Sequence, residues 1–193
     1  MRIVRTSPRP DDEDYLVVSL DDLKDHLRIE SDEEDAALRA FLQASIASVD
    51  GPDAPFGRVF VPGTFEGFAC PDRPVDGVSI PLVPVIAVTE VAIRQDDGNY
   101  LPAAGWTSYL WSDGGVPVAR VVPPRHGWPA LPRHPEAIRI SFEAGPGPGE
   151  MLPPPVRVAI LMRAAHLYGN RGESNQGGEP PAIDGLLQPY RRF

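Results

Sequence analysis

The sequence is poor in the residues that most often carry chemistry. Cys70 is the only cysteine in 193 residues, so an intramolecular disulfide and a Cys-rich zinc site are both excluded. Lys24 is the only lysine, and there are four histidines. No Gly-x-Ser-x-Gly occurs, and no phosphate-binding Gly-rich loop ends in Lys-Ser or Lys-Thr. Long apolar runs are missing as well: none approaches eighteen residues, and the opening MRIVRTSPRPDDED has no apolar stretch of the secretory kind. Neither a membrane span nor secretion is expected. The formal charge of -9 argues against general nucleic-acid binding, which needs clustered Lys and Arg against phosphates.

Glycine and proline, by contrast, are plentiful, at 18 and 24 residues, while hydrophobic residues still reach 42%. Such a chain folds around many turns and is neither collagen-like nor wholly disordered. Residues 1–18 read as a mobile polar arm containing the acidic run Asp11 to Asp14. Ser19 is a good N-cap, Asp21 and Asp22 suit the positive end of a helix, and Leu20, Leu23 and Leu27 share one face. A second helix start follows, because Ser31-Asp-Glu-Glu matches a capping box and Leu38, Phe41, Leu42, Ile46 and Val49 recur at helical spacing up to Gly51-Pro52.

From Gly57 to Gly145 the period changes to that of strands. Arg58 to Val61, Val83 to Arg94, Thr107 to Trp111, Val116 to Val122 and Ala137 to Phe142 are β-prone runs separated by breakers. Val85 to Arg94, followed by Asp97-Gly98-Asn99 and Tyr100-Leu101, is the clearest hairpin signal. Gly145-Pro-Gly-Pro-Gly149 reads as a hinge, and Val156 to Tyr168 as a third helix that is apolar on most of its circumference and so needs cover on several sides. A Gly-rich loop, Gly169 to Gly178, then leads to an apolar and basic tail. The fold class expected is α+β: a small helical bundle, residues 19–56 and 146–193, interrupted by a β-rich insertion, residues 57–145.

Two local patterns invite a catalytic reading. Arg125-His126-Gly127 is the tripeptide of histidine phosphatases, which would make the protein a cytoplasmic hydrolase acting through His126. Its context opposes this: that chemistry needs the tripeptide after an early strand of an α/β sheet, whereas here it follows Pro123-Pro124 late in a β region. A loop carrying a packed Trp128 is the plainer reading. His126 and His134, with Asp96 and Asp97, lack the spacing of a metal site. The expectation is therefore no enzyme, no cofactor and no metal.

The distribution of charge says more. Between Asp11 and Asp35 there are twelve acids against Lys24 and Arg28, while Met151 to Phe193 holds five arginines against three acids. Unlike ends of this kind let copies associate head to tail, which closes into a ring when the rotation permits.

These pieces, taken in order, resemble a known family. Ser19-Leu-Asp-Asp-Leu-Lys-Asp-His-Leu-Arg-Ile, the acidic link, Glu34-Asp-Ala-Ala-Leu-Arg-Ala-Phe-Leu, Gly127-Trp128-Pro129 ahead of a strand ending Phe142-Glu-Ala-Gly145, the helix from Pro154 to Arg171, and Leu186-Leu-Gln-Pro-Tyr-Arg191 together are similar to the head–tail connector (adaptor) proteins of long-tailed bacteriophages, prophages and gene transfer agents. The family's long helix usually ends Tyr-Glu-Asn-Arg, and here a glycine stands in Tyr168-Gly-Asn-Arg171. The resemblance implies a structural protein, made in the host bacterial cytoplasm and then placed at the head–tail junction. Its implied partners are a portal protein, neighbouring copies in a twelve-fold ring, and the next connector or tail-terminator component, with DNA only passing through the channel and no membrane. The tail is expected to carry the docking contacts through Leu186, Leu187, Pro189, Tyr190, Arg191, Arg192 and Phe193, detached from the preceding helix by its Gly-rich loop.

Overall fold

A computed structural model describes residues 1–7, 18–73, 75–129, 131–146, 152–171 and 178–191. The expected arm between residues 8 and 17, most of the Gly-Pro hinge, the centre of the Gly-rich loop, and Arg192 and Phe193 lie outside the described residues. Four α-helices and eight strands occur among the described residues, and every strand pairing is antiparallel, so the class is α+β. The chain divides into two units, Met1–Arg9 with Pro62–Pro148, and Pro10–Val61 with Gly149–Phe193.

The helical unit begins with α1, Leu20–Leu27. Its cap is the one the sequence promises: the Asp22 N–H donates to Ser19 Oγ at 3.1 Å, and the Ser19 N–H donates to the Asp22 carboxylate at 3.0 Å. The helix closes on Arg28, in the left-handed conformation at φ 58°. The second helix, α2, Asp35–Ala47, departs from expectation, because Ser31 does not cap it. Ser31 Oγ takes the Glu33 N–H at 3.2 Å in a local turn instead, while Lys24 gathers Asp32 and Asp35, so the helix starts one turn later. Then come α3, Pro154–Gly169, with proline in its first turn where no N–H is missed, and α4, Pro181–Leu187, followed by a 3-10 turn, Gln188–Tyr190. One apolar core joins Leu23, Leu38, Leu42, Val156, Ile160, Ile183 and Leu187.

The β unit holds two sheets. In the larger, the order is β1 (Arg2–Arg5), β2 (Gly63–Ala69), β8 (Ile138–Ala144), β4 (Val85–Arg94), β5 (Tyr100–Pro102); in the smaller it is β3 (Val78–Ile80), β7 (Val116–Val122), β6 (Thr107–Asp113). Residues 2–5, read from sequence as part of a mobile arm, are thus a strand registered on β2 from Arg2 opposite Phe68 to Arg5 opposite Phe65. Two alternating residues in so short a stretch give no period to read. The Arg2 and Arg5 guanidiniums lie over the Phe68 and Phe65 rings, at 4.4 and 4.8 Å, a contact that sequence spacing does not reveal. β8 alternates cleanly, burying Ile138, Ile140, Phe142 and Ala144, and Phe65 stacks on Phe142 at 5.6 Å. The hairpin expected at Asp97-Gly98 is present, with Gly98 at φ 88°. At the end of β8, Gly145 has φ 130°, and a side chain there would come within 2.6 Å of Pro62 Cα, so only glycine fits.

Arg58 to Val61, expected as a strand, is not one. The segment is held by the carboxylate of Asp50, fully buried just beyond α2, whose Oδ1 accepts the N–H of Phe60 at 2.7 Å and of Val61 at 2.9 Å. Backbone donors that a sheet would have used are taken by a side chain. Replacing Asp50 by Ala leaves two buried donors without that acceptor and is expected to lower stability by about 3 kcal/mol, with Asp50→Asn closer to wild type. Equilibrium denaturation in urea measures both; equal stability of Asp50→Ala and wild type would refute the role assigned to the carboxylate.

Candidate functional site

The tail was the residue set singled out by sequence, and the structure places it against its own unit. Leu187 is 1% exposed and Ile183 fully buried in the helical core. Leu187 is therefore a packing residue in this fold, contrary to its expected place among docking residues; α4 is short, and burying its one apolar face against α3 satisfies it. Leu186 and Tyr190 are half-buried against the same core. Tyr190 meets the Phe60 ring edge-on at 6.4 Å, and its carbonyl accepts the Arg58 Nε–H at 2.9 Å. Pro189 and Arg191 are exposed; Arg191 donates to Asp184 at 3.0 Å and lies 5.5 Å from the Phe56 ring. The seven expected residues thus separate into a packed set and an outward pair, with Arg192 and Phe193 outside the described residues.

Ion pairs fasten the helices to one another around this tail. Arg163 of α3 donates through both Nε and Nη2 to the Glu179 carboxylate, just before α4, and through Nη1 to Ser48 Oγ. Arg157 pairs with Asp22 at 2.5 Å, joining α3 to the cap of α1. At the far end of α3, Tyr168 Oη and Arg171 both donate to Glu34, the residue capping α2, and the Arg171 guanidinium lies 4.5 Å from the Tyr168 ring. The Tyr-x-Asn-Arg ending of the helix is therefore a clamp on Glu34. Gly169 takes no part in it, and a Cβ at that position would meet nothing within 4 Å.

These contacts shift the acids they hold. The hydrogen bonds from Tyr168 and Arg171 keep the Glu34 carboxyl below the usual glutamate range, and the Arg163 hydrogen bonds do the same for Glu179. Tyr168 moves the other way, its phenol raised by donating to Glu34.

Neither catalytic pattern assembles a site. His126 and Arg125 are exposed beside Gly127, in a turn with φ 87°, while Trp128 is 4% exposed and its indole donates to the Asp76 carbonyl at 2.9 Å. The His134 ring accepts the Glu136 N–H at 3.0 Å. Among the described residues, no group of three or more His, Cys, Asp or Glu is arranged to hold a metal ion.

Apolar surface does remain exposed, at positions that sequence reading did not single out. Val158 and Leu167 project from α3, and Tyr109, Leu110 and Trp111 from β6, an edge strand exposed on both faces. The sequence hint for β6 is a run of aromatic and aliphatic residues without one charge from Thr107 to Ser112. Exposed apolar side chains on ordered elements are the kind of surface at which proteins meet partners.

Comparison with known proteins bears on which contacts. Residues 17–99 match the family model described as phage gp6-like head-tail connector protein. Three solved structures resemble the whole chain. A chain of the neck of an empty GTA particle, computed with C6 symmetry, is 26% identical with a TM-score of 0.75. One of the neck of a native GTA particle, computed with C12 symmetry, is 25% identical at 0.73, and one of the virion of a native gene transfer agent particle is 26% identical at 0.70. Each likeness covers 100% of this chain and 96% of the other. No curated protein matches. The chain is thus similar to a head–tail connector family over residues 17–99 and to neck proteins of gene transfer agent particles along its length, and these are structural neck proteins, not enzymes.

Two outcomes follow from the packing of the tail. Leu187→Ala is expected to destabilise the protein by about 3 kcal/mol, in the range for a truncated core leucine, while Pro189→Ala at the exposed position should change it by less than about 0.5 kcal/mol. Thermal melting of the two variants checks the division between packed and outward residues. The acid side of the stability curve checks the clamp. Because Glu34 and Glu179 have depressed pKa values in the fold, their stabilisation is complete above the unfolded glutamate value near ~4.3 and is lost as pH falls through the folded values. Glu34→Gln should flatten the fall in denaturation midpoint on acidification below about pH 5, and an unchanged slope would show that the clamp contributes nothing.

Proposed function

We propose that the chain is the head–tail connector of a phage-like particle, a ring-forming adaptor seated between the capsid portal and the next connector or tail component. The structural connector role is supported by the family match and by the neck structures. The observation that carries the finer reading is the likeness along the whole chain to subunits of necks computed with sixfold and twelvefold symmetry. Twelve copies would surround a channel through which DNA passes. In this reading the helical unit, a small bundle of α1, α2 and α3 with α4 against it, is the connector body, and the β unit is an insertion in its sequence.

The physical requirements of such a part agree with what is built here. A ring subunit must offer unlike surfaces to its two neighbours, and this chain carries both exposed acids and exposed arginines outside its internal pairs. It must also keep its shape under load, and the ion pairs from Arg157, Arg163 and Arg171 each join separate helices or their flanking segments. The outward tail residues Pro189 and Arg191 are proposed to meet the portal, with Arg192 and Phe193 following them in sequence. Assembly would take place in the host bacterial cytoplasm.

The test is reconstitution. Purified protein added to portal-bearing heads that lack it should appear by electron microscopy as a ring at the portal vertex and should restore joining of tails. Heads that remain bare and tailless with saturating folded protein would overturn the reading.

A further inference from the structure

The smaller sheet presents a face that its own chain leaves uncovered. Its strands run β3, β7, β6, and β6 is the edge. Ser108 and Leu110 lie opposite Val121 and Ala119, which are buried, but Leu110 is itself 45% exposed, so β6 is open on that side as well. On the other side Tyr109 lies directly opposite Arg120, and Trp111, two residues along the same strand, opposite Val118, which is buried. Tyr109 is 60% exposed, Trp111 48%, and Arg120 is exposed between Tyr109 and the exposed Ser79 of β3. Tyrosine, tryptophan and arginine are the residues that dominate interface energetics. Edge strands on monomers are usually guarded by charge, proline or shortness; β6 is seven residues long, has no proline, and carries its one charge at its end, on Asp113.

What would cover this face is indicated by charge. Among the described residues Arg120 forms no ion pair; it stands in register with Tyr109 on the adjacent strand, and an exposed, unpaired arginine next to an aromatic edge strand suits a carboxylate-bearing partner. The same chain carries that counterpart on its helical unit. Asp21 and Asp25 are exposed one turn apart on α1, with exposed Glu30 and Glu33 in the link to α2, and none of the four enters an ion pair among the described residues. Acids on one unit and an aromatic-arginine face on the other form a pair of unlike surfaces that two copies can join without either being used twice.

We infer that the Tyr109, Trp111 and Arg120 face of one copy receives the acidic α1 surface of a second copy of this chain, as the repeating contact of its ring. This rests on the connector reading and adds to it the surface through which copies join. The contact is heterologous, which is the kind that closes into a ring, and its charged part weakens with salt.

The experiment uses the full chain and its assembly at high concentration, followed by sedimentation velocity and negative-stain microscopy. Arg120→Glu alone, and the double substitution Asp21→Arg with Asp25→Arg alone, should each need at least tenfold more protein to form rings, with unchanged circular dichroism and melting. Mixed in equal amounts, the two charge-reversed proteins should co-assemble as wild type does. Trp111→Ser should impair assembly in any mixture, and Tyr109→Ser replaces it if that variant does not fold. Rings that form normally from Arg120→Glu would overturn the inference while leaving the connector reading intact. Failure of the mixture to recover would overturn it too, showing that this face meets a different partner. Wild-type protein that neither forms rings nor binds portal-bearing heads would instead defeat the connector reading itself.

Discussion

A buried carboxylate governs how this chain is threaded. Its fold leaves a set of helices after α2, builds two sheets, and comes back to the helices at α3, so the departing segment must be fixed without the help of a regular element. Asp50 does this by accepting the N–H groups of Phe60 and Val61, while the Gly51 N–H donates to the Arg58 carbonyl at 2.8 Å and closes the same loop. Residues 51–61 are thereby held to the end of α2, and the β unit begins at Pro62. A neutral side chain could accept these bonds more weakly, but a buried charge with two backbone donors fixes one geometry and makes the alternatives costly.

The same economy of charge runs through the helical unit. Its arginines tie elements together: Arg157 to Asp22, Arg171 to Glu34, and Arg163 to Glu179 as a two-pronged fork. Arginine suits this task, since its guanidinium can bind a carboxylate through two parallel bonds, as Arg163 does, and can stand over a ring, as Arg171 does over Tyr168. With many basic groups committed internally, the acids on α1 and Arg120 on β7 are among the exposed charges left without an ion pair among the described residues, and they belong to different units.

Much of the helical half was legible beforehand because its signals are local. Ser19 and Asp22 specify a helix start through contacts three residues apart, and the apolar spacing of Leu38, Leu42 and Ile46 specifies a buried face. Ser31 misled because its capping pattern is also a turn pattern, and Lys24, which pairs with Asp32 eight residues on and Asp35 eleven residues on, favours the turn. In the tail, Leu186, Leu187 and Tyr190 read from sequence as anchors for a partner, and Leu187 is buried in its own unit, since an apolar residue carries no mark of whether the surface it covers belongs to its own chain. The Tyr168 and Arg171 clamp shows the reverse, a family motif whose partner, Glu34, lies 134 and 137 residues away.

By itself, then, the sequence determined the α+β class, the first helix and its cap, the hairpin at Gly98, and the resemblance to head–tail connectors, all of which rest on neighbours in the chain or on an ordered set of motifs. The tertiary structure alone decided that residues 2–5 are a strand, that Arg58 to Val61 is not, that Leu187 is core, and that Tyr109, Trp111 and Arg120 share an open face. Each of these depends on what lies across a sheet or against a helix, at sequence separations where neither periodicity nor capping chemistry carries information.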